Sequence, residues 1–398
     1  MSHRPVENPV DVVGIGADGW TGLPEAVRDV LRAAEVVLGS ARQLALLDDS
    51  VTAERRVLPS PLRPGLEREL ATDRRLAVLA SGDPMWFGIG ATLSRMEVPI
   101  RVHPAPSSMS LAAARLGWPL EDVEVVSAVG RPLELVHPAI QPGRRVLVLV
   151  ATATAGDELR ALLTGRGYGS STVTVLERLG ARDERISADP GPHDPLAILA
   201  ANCVADAGAV PLPRIPGLPE EAFEHDAGQI TKRETRALAL ALLAPGPGQL
   251  LWDVGAGSGS VGIEWLRTHP ACRAIAVEPR ADRRARIAAN ARALGVPGLE
   301  MVDGTAPEAL AGLEAPDAIF VGGGVSQDGV LDACVEALTP GGRLVANGVT
   351  VETEAVLSQW HARRGGSLTR IAIQRAAPVG GFTGWRPAMP VTQWAWTK

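Results

Sequence analysis

The chain has 398 residues, of which 46% are hydrophobic and 21% are charged, so its composition is that of a globular protein and not of a disordered one. This length exceeds what a single hydrophobic core usually organises, and it predicts two domains of roughly 150 to 200 residues each. The net charge of −6 argues against nucleic acid as a partner, because proteins that bind nucleic acid usually carry basic surfaces.

The cysteines and the apolar segments indicate where in the cell the protein is expected. Cys203, Cys272 and Cys334 lie far apart and form no CxxC pair, so neither a disulfide framework nor a metal cluster is expected. The first residues lack the apolar stretch of a signal peptide, and no segment reaches the ~18 apolar residues of a membrane helix. We therefore expect a cytoplasmic protein with no metal site and no membrane partner.

The first half alternates short apolar runs with amphipathic segments, from VDVVGIG and LPEAVRDVLRAAEVV to STVTVLERLG. This alternation predicts layered α/β structure. Residues 205–219 contain four prolines and no sustained periodicity, which predicts an interdomain linker. The domains are accordingly predicted at 1–204 and 220–398.

A second α/β series follows the linker. It begins with helix TKRETRALALALLA and strand LLWDVG, and it continues through strands AIAVEP, LEMVDG, DAIFVGG and GRLVANGV with helices between most of them. This order predicts a doubly wound sheet. The chain ends with two extended segments, LTRIAIQRA and MPVTQWAWTK, which predict an antiparallel pair at the edge of that sheet.

A glycine loop separates strand and helix in the second half. Gly255, Gly257 and Gly259 stand in DVGAGSGSV, where glycine lets the backbone turn sharply and approach a ligand at the helix N-terminus. Glu278 ends the next strand, roughly 20 residues on, where an acid accepts hydrogen bonds from ribose hydroxyls. The two features together predict a nucleoside site.

The charge beside this loop selects among nucleoside ligands. Asp253 would repel a pyrophosphate and suit a cationic ligand. S-adenosylmethionine, with its sulfonium and ammonium groups, is therefore favoured, and a dinucleotide or a purely structural turn are the alternatives. The run after the fourth strand, DAIFVGGG, lacks the Asn/Asp-Pro-Pro-aromatic motif of amino-methylating enzymes. Its glycines leave room for a bulky flat substrate, although loop flexibility also explains them.

The first half contains a different set of glycine motifs. A GxGxxG pattern begins at Gly14, but no acid ends the next strand, EVVLGSARQ, so a dinucleotide site is poorly supported. Together with ASGDPMWFGIG (80–90) and PSSMSLAAARLGWP (106–119), the pattern resembles the tetrapyrrole methylase family from Val10 to about Asn202. The resemblance implies a two-lobed α/β fold that holds S-adenosylmethionine in the cleft between the lobes.

This resemblance also implies site residues in the first half. The cofactor contacts fall on Gly82, Asp83, Pro84, Ser107 and Ser108, and the substrate contacts include Gly14 and Gly16. The family usually has proline where this chain has Ala17. A helix N-cap is an alternative role for the two serines.

The second half also carries IPGLPEEAF (215–223) and GQITKRETR (228–236) before its glycine loop. These segments resemble the decarboxylating precorrin methyltransferase family, which implies a Rossmann-like class I methyltransferase fold with a doubly wound sheet and an antiparallel edge. The cofactor contacts that follow are Thr231, Asp253, Gly255, Ala256, Gly257, Ser258, Gly259, Glu278 and Ala306.

Taken together, the two halves resemble the fused corrin-ring methyltransferases of cobalamin biosynthesis. This implies one S-adenosylmethionine per domain and a tetrapyrrole substrate, precorrin-6B. The first domain would methylate C-5, and the second would methylate C-15 and decarboxylate the ring C acetate, giving precorrin-8X, two S-adenosylhomocysteine and carbon dioxide. A homo-oligomer formed through the second domain is also implied.

The substrate carboxylates require cationic partners, and arginine is suited to them. The candidates are Arg131, Arg178, Arg233 and Arg236, each of which has an ordinary surface or salt-bridged role as its alternative. An electron-rich meso carbon can attack the sulfonium methyl in line, so no strong base is required. The proton donor after decarboxylation is not identified, and Glu308, Asp303 and His225 are candidates.

Two rival functions are compatible with parts of this pattern. Relatives of the first half modify RNA, so a nucleic-acid methyltransferase is one rival, although the acidic net charge counts against it. The other is a chain in which one half binds a tetrapyrrole without catalysing a reaction. Separate assays of the halves test the second rival, because an inert half would bind cofactor or macrocycle without producing S-adenosylhomocysteine.

Overall fold

The computed structural model describes residues 8–226 and 230–398. The chain divides into two compact units: unit 1 comprises Met1–Leu133 and Pro142–Ala209, and unit 2 comprises Glu134–Gln141 and Val210–Lys398. This division differs from the predicted boundaries because it groups residues 134–141 with the second unit. Gly228 and Gln229 of the GQITKRETR motif lie outside the described residues.

Unit 1 alternates strands and helices. Its strands are β1 (Val10–Ile15), β2 (Val36–Gly39), β3 (Glu54–Val57), β4 (Leu76–Ser81), β5 (Ile100–His103), β6 (Val123–Ser127), β7 (Arg145–Leu149), β8 (Thr172–Glu177), β9 (Arg185–Ser187) and β10 (Ala197–Asn202). Its α-helices are α1 (Glu25–Ala33), α2 (Ala41–Ala45), α3 (Leu62–Leu70), α4 (Ile89–Arg95), α5 (Ser108–Leu116) and α6 (Ala155–Gly165).

The first sheet of unit 1 is parallel, with the strand order β3-β2-β4-β1-β5. Its central strands read as continuous apolar runs because both faces are covered. Val13 and Leu79 belong to the core on one face, and Val12 and Val78 belong to the core on the other. The loops that follow β1, β4 and β5 consequently leave the sheet at the same edge.

The second sheet of unit 1 has the order β6-β7-β10-β8-β9. Only β6 and β7 pair in parallel, and the other neighbours are antiparallel. The predicted two-lobed α/β fold is confirmed, with one sheet in each lobe. The last strand, β10, was not predicted, since ILAAN lies outside the segments that showed clear periodicity.

Unit 2 repeats the alternation with longer helices. Its strands are β11 (Leu250–Val254), β12 (Arg273–Val277), β13 (Glu300–Val302), β14 (Ala318–Val321), β15 (Arg343–Gly348), β16 (Ser367–Ile371), β17 (Gln374–Val379), β18 (Phe382–Pro387) and β19 (Val391–Thr397). Its α-helices are α7 (Arg233–Leu243), α8 (Ser260–Thr268), α9 (Ala281–Ala293), α10 (Val330–Ala337) and α11 (Val351–Arg364).

The sheet of unit 2 has the order β13-β12-β11-β14-β15-β19-β16. The five strands from β13 to β15 are parallel, and β19 pairs antiparallel with both β15 and β16. The predicted doubly wound sheet with an antiparallel edge is therefore confirmed. The chain reverses direction across the sheet between β11 and β14, and ligands bind at the carboxyl ends of strands at such a reversal.

Two elements near the C-terminus were not predicted. Helix α11 fills the segment between β15 and β16. Strands β17 and β18 pair antiparallel as a separate hairpin. The end of the predicted segment LTRIAIQRA belongs to β17, and β18 lies where we expected only a Gly/Pro-rich connection. Most of the hairpin's side chains are exposed, so it lacks the buried alternation that makes a strand recognisable in a sequence.

The described residues can be compared with the expectations for membrane helices, cysteines and metal ligands. Within residues 8–226 and 230–398, no helix has the length and apolar character needed to cross a membrane. Cys203, Cys272 and Cys334 are free thiols, and all three are buried. The same ranges contain no group of three or more His, Cys, Asp or Glu side chains that could hold a metal ion.

Candidate functional site

In unit 1 the three predicted motifs meet at the edge where β1, β4 and β5 end. A Cβ atom added to Gly14 would lie 2.2 Å from the carbonyl oxygen of Gly82 and 2.8 Å from the backbone nitrogen of Ala105. A Cβ atom on Gly82 would lie 3.2 Å from Cα of Ser107. The loops after these strands therefore touch through their backbones, and Gly14 has no room for a side chain.

The Gly82-Asp83-Pro84 loop is a compact turn. Gly82 has a φ of +64°, and its N–H donates to the carbonyl of Ile15 at 3.0 Å. The Asp83 carboxylate accepts the N–H of Met85 at 2.8 Å. Beyond the turn, the side chains of Trp86 and Phe87 are each 50% exposed and pack edge to face, a feature that the sequence did not reveal.

The serine segment begins helix α5. Ser107 is the N-cap, and its hydroxyl accepts the N–H of Ser110 at 3.0 Å. Ser108 is the first residue of the helix. The N-cap role is thus confirmed for Ser107, and it places the N-terminus of α5 next to Gly82. Cofactor contact by this segment and by the Gly82 loop stays a prediction.

The other candidate residues of unit 1 have local partners or open surroundings. Gly16 makes room for the side chain of Asp18, because a Cβ there would lie 2.4 Å from the Asp18 carboxylate. Arg178 forms ion pairs with Asp183 at 2.8 Å and Asp194 at 3.4 Å, which is the salt-bridged alternative. Arg131 is exposed. Substrate contact by these residues stays a prediction.

Unit 2 contains a pocket of about 690 Å³ at the carboxyl ends of its parallel strands. Most of the predicted cofactor contacts line it: Thr231, Asp253, Gly255, Ala256, Gly257, Ser258, Glu278 and Ala306. Gly259 is the exception among them. A Cβ on Gly259 would lie 2.9 Å from Cγ2 of Ile287, so this glycine allows α8 to pack against α9 and does not line the pocket, contrary to our prediction.

The two glycines of the loop after β11 that line the pocket have different functions. Gly255 has a φ of +69°, and a Cβ there would lie 2.8 Å from the backbone of Gly323, so the loop after β11 packs against the glycine-rich loop after β14. Gly257 has a φ of +60°, and a Cβ there would meet nothing within 4 Å. The glycine at 257 therefore leaves open the space that a ligand would occupy.

Glu278 connects the end of β12 to this loop. It is 2% exposed, and its Oε2 accepts the N–H of Gly257 at 3.0 Å. Its Oε1 accepts the N–H of Arg280 at 3.2 Å, and the Arg283 guanidinium lies 3.8 Å away. The carboxylate is held in a fixed orientation at the pocket wall, as a group that binds ribose hydroxyls would need to be.

Asp253 lies at the bottom of the pocket and is almost fully buried. Burial raises the pKa of its carboxyl group to about 7, the hydrogen bond from the N–H of Gly262 lowers that pKa, and the nearby Glu278 raises it. The Gly262 N–H lies 2.9 Å from Oδ2, so Asp253 also anchors the first turn of α8. A cationic ligand in the pocket would favour the ionised form.

Arg236 has a structural role, which corrects our prediction that it binds substrate. Its side chain is completely buried, and Nε donates to Oε1 of Glu264 at 2.7 Å. The other guanidinium nitrogens donate to the carbonyls of Thr231 and Leu218, and the group stacks 4.9 Å above the ring of Phe223. No part of this guanidinium is available to a ligand.

Lys232, which the sequence did not single out, lines the pocket instead. Among the described residues that line it, the cations are Lys232 and Arg283. Arg233 is exposed and is not one of the lining residues. The three candidate proton donors do not line the pocket either. Asp303 pairs with Arg284 at 2.7 Å, Glu308 is exposed, and His225 is half-buried.

Comparison with known proteins also divides the chain into two parts. Residues 10–192 match the family model of the tetrapyrrole (corrin/porphyrin) methylases, and residues 221–398 match that of the precorrin methyltransferase domain. A protein of Sinorhizobium named precorrin-6Y C(5,15)-methyltransferase [decarboxylating] is 52% identical, with 97% of this chain and 96% of that protein covered. The chain belongs to the precorrin-6Y C(5,15)-methyltransferase (decarboxylating) family.

Other members of this precorrin methyltransferase family are also similar. A Mycobacterium tuberculosis protein of the same name is 47% identical, with 97% of this chain and 99% of that protein covered. The crystal structure of the C-terminal domain of the Rhodobacter capsulatus precorrin-6Y C5,15-methyltransferase is 50% identical, covers 47% of this chain and all of that chain, and gives a TM-score of 0.45. Membership makes this chain an S-adenosylmethionine-dependent methyltransferase and confirms the resemblance stated from its motifs.

Proposed function

We propose that this chain converts precorrin-6B to precorrin-8X, with two methyl transfers from S-adenosylmethionine and the loss of one carbon dioxide. Unit 1 methylates C-5. Unit 2 methylates C-15 and removes the carboxylate of the ring C acetate. Each unit binds its own S-adenosylmethionine. The observation that supports this division is that each unit has its own junction of glycine loops at the carboxyl ends of parallel strands.

The cofactor of unit 2 would lie across the loop after β11. Glu278 would accept hydrogen bonds from the ribose hydroxyls, and the open space at Gly257 would admit the nucleoside. Asp253 lies where its carboxylate would balance the cationic methionine portion of the ligand. Thr231 and Ala306 complete the wall of the same pocket.

In unit 1 the cofactor would lie beside the Gly82-Asp83-Pro84 loop and the start of α5. Gly82 approaches the Ser107 and Ser108 backbone closely enough that a ligand beside it contacts both segments. The N-terminus of α5 presents backbone N–H groups to that ligand. Arg131, exposed after β6, is the proposed partner of a substrate carboxylate in this unit.

The chemistry requires little acid–base catalysis from the protein. In each methylation the meso carbon forms a bond to the methyl carbon while the carbon–sulfur bond breaks, so S-adenosylhomocysteine leaves uncharged at sulfur. The positive charge passes to the macrocycle, which then releases it as a proton to water. In the decarboxylation the electron pair of the carbon–carboxylate bond moves into the conjugated macrocycle, and a proton then replaces carbon dioxide. Alignment of the reactants and exclusion of water provide the acceleration.

The experiment is to incubate the protein with S-adenosylmethionine and enzymatically prepared precorrin-6B and to follow the mass of the tetrapyrrole. We expect a gain of two methyl groups and the loss of one carbon dioxide. An unchanged tetrapyrrole, when both units have bound cofactor, would contradict the proposal and favour another methyl acceptor such as RNA. A product with only one unit's modification would identify the other unit as a binding module.

We also propose that the protein forms a homo-oligomer through unit 2. The hairpin of β17 and β18 presents Phe382, Trp385 and Val379 with exposed fractions of 84%, 73% and 61%. Val379 and Phe382 pair across the two strands and share one face of the hairpin, and Trp385 lies on the other face. Exposed apolar side chains on one element are typical of contact surfaces. Light scattering should show an oligomer for the unaltered chain and a smaller species for Phe382→Asp with Trp385→Ser, and an unchanged mass would contradict the proposal.

A further inference from the structure

Lys232 stands at the rim of the unit 2 pocket, directly before α7. Its Nζ lies 2.8 Å from Oε2 of Glu220. The same carboxylate lies 3.4 Å from the N–H of Arg233 and 3.9 Å from the Arg375 guanidinium. Glu220 is thus shared among several donors, whereas the Lys232 ammonium has three N–H groups and gives one of them to Glu220.

Asn347 lines the same pocket from the end of β15. Its Oδ1 accepts a hydrogen bond from Nε2 of Gln393 at 2.9 Å. Gln393 is only 2% exposed and lies on β19, which pairs with β15, so this contact fixes the orientation of the Asn347 amide. The contact uses only the amide oxygen, so the two N–H groups of the Asn347 amide can donate to another group. These donors carry no net charge.

These two groups differ from the rest of the polar lining. Arg283, the other cation, lies beside Glu278 at the proposed ribose end of the pocket. Lys232 directly precedes α7 and Asn347 lies on β15, and these two elements pack against each other. A cation together with neutral N–H donors matches a carboxylate, and the proposed tetrapyrrole substrate carries several carboxylates at its periphery.

We propose that Lys232 and Asn347 form a carboxylate subsite that positions the tetrapyrrole in unit 2, with Glu220 and Gln393 as positioning residues. This inference rests on the proposed function and extends it. The carboxylate held here is one that the product retains. An ion pair to Lys232 would stabilise a departing carboxylate in the ground state and slow its loss, because only interactions that are stronger in the transition state accelerate a reaction.

The departing carboxylate belongs instead beside the apolar part of the lining. Val349, Ala388, Met389 and Val391 line the pocket and offer no side-chain hydrogen-bond donor. A carboxylate there would lose its hydration without gaining a partner, which favours its conversion to uncharged carbon dioxide. The pocket thus separates the carboxylate that anchors the substrate from the one that leaves.

The test uses the full-length chain and steady-state kinetics of C-15 methylation and carbon dioxide release. For Lys232→Gln and Asn347→Asp we expect the KM for the tetrapyrrole to rise about 10- to 100-fold, with kcat within a few-fold of the unaltered chain. S-adenosylhomocysteine affinity should stay unchanged in both. Lys232→Arg should restore most of the KM, because it restores the charge.

The matched control is Arg273→Gln. Arg273 is the first residue of β12, pairs with Glu314, and does not line the pocket. The substitution should leave the KM unchanged. If the unaltered chain is active and both pocket variants keep its KM, or if they weaken S-adenosylhomocysteine binding equally, the subsite is overturned and the proposed function stands. If the unaltered chain does not modify the tetrapyrrole, the proposed function and the subsite fail together.

Discussion

The carboxylate of Glu278 and the backbone N–H of Gly257 are joined by a hydrogen bond of 3.0 Å, although 21 positions separate them in the sequence. The bond ties the carboxyl end of β12 to the glycine loop after β11. It is made by the acid that we assign to the ribose and by the glycine that leaves the ligand space open. One side chain therefore shapes the loop and presents the binding group.

Replacing Glu278 by Gln should weaken cofactor binding in unit 2 alone. The loss of charge-assisted hydrogen bonds should lower the affinity for S-adenosylhomocysteine about 10- to 100-fold at the proposed site of unit 2 and leave the proposed site of unit 1 unchanged. Calorimetry measures this affinity, and product mass should show that C-5 methylation continues while C-15 methylation and decarboxylation slow. The control is Glu300→Gln, at an exposed position on the neighbouring strand β13. Equal affinities in the two variants would refute the role assigned to Glu278.

The open space at Gly257 can be tested against a second glycine of similar backbone geometry. Gly257→Ala and Gly248→Ala both place alanine at a positive φ, +60° and +82°, and neither new Cβ meets an atom within 4 Å. Both should lower the free energy of unfolding by about 1 to 2 kcal/mol. Only Gly257→Ala should also weaken S-adenosylhomocysteine binding, as calorimetry would show. Unchanged binding in Gly257→Ala would place the ligand elsewhere.

The raised pKa of Asp253 predicts a pH-dependent stability. The pKa of about 7 in the folded state lies above the ordinary aspartate pKa of 3.8, so the folded state binds a proton more tightly than the unfolded state. The resulting contribution to stability is complete below pH ~4 and is lost as the pH rises to about 7. The free energy of unfolding of Asp253→Asn, minus that of the unaltered chain, should therefore be larger at pH 8 than at pH 5. Urea unfolding at the two pH values measures this difference. The same difference at both pH values would contradict the raised pKa.

Gly14 should tolerate no side chain even though its backbone φ is ordinary. The Cβ of Gly14→Ala would overlap the carbonyl of Gly82, so the three loops of unit 1 would have to separate. We expect C-5 methylation to fall at least tenfold while C-15 methylation is retained, measured by product mass. Gly165→Ala, where a Cβ meets nothing within 4 Å, is the control and should be fully active. Normal C-5 methylation in Gly14→Ala would show that this junction is not needed.

The structural role of Arg236 predicts a stability defect without a specific binding defect. Arg236→Ala leaves Glu264 buried without its ion-pair partner and should cost about 3 to 5 kcal/mol in the free energy of unfolding. Urea unfolding measures this cost, and Arg236→Met combined with Glu264→Gln should recover part of it. At a temperature where Arg236→Ala is folded, its KM for the tetrapyrrole should match the unaltered chain. A selective rise in KM would return Arg236 to the substrate site.

At the start of α7, the sequence could not predict which of several cationic side chains faces the pocket. Lys232, Arg233 and Arg236 stand within five positions, and each was a chemically suitable partner for a carboxylate. Successive residues of a helix point about 100° apart, so the docking of α7 on the sheet determines which cation faces the pocket and which faces the core. The docking buries Arg236 against Glu264, exposes Arg233 and leaves Lys232 at the pocket.

The sequence by itself determined the fold class of both units and predicted a nucleoside site in unit 2. The glycine loop with Gly255 and Gly257 follows β11, and Glu278 follows β12. Parallel strands place their carboxyl ends at the same edge of a sheet, so these residues lie close together whenever the two strands pair. Only the tertiary structure decided which polar groups are buried, paired or open to the pocket. Gly259 and Arg236 have structural roles, and Lys232 and Asn347 line one pocket although they come from distant segments. Packing of this kind depends on contacts that no local sequence pattern encodes.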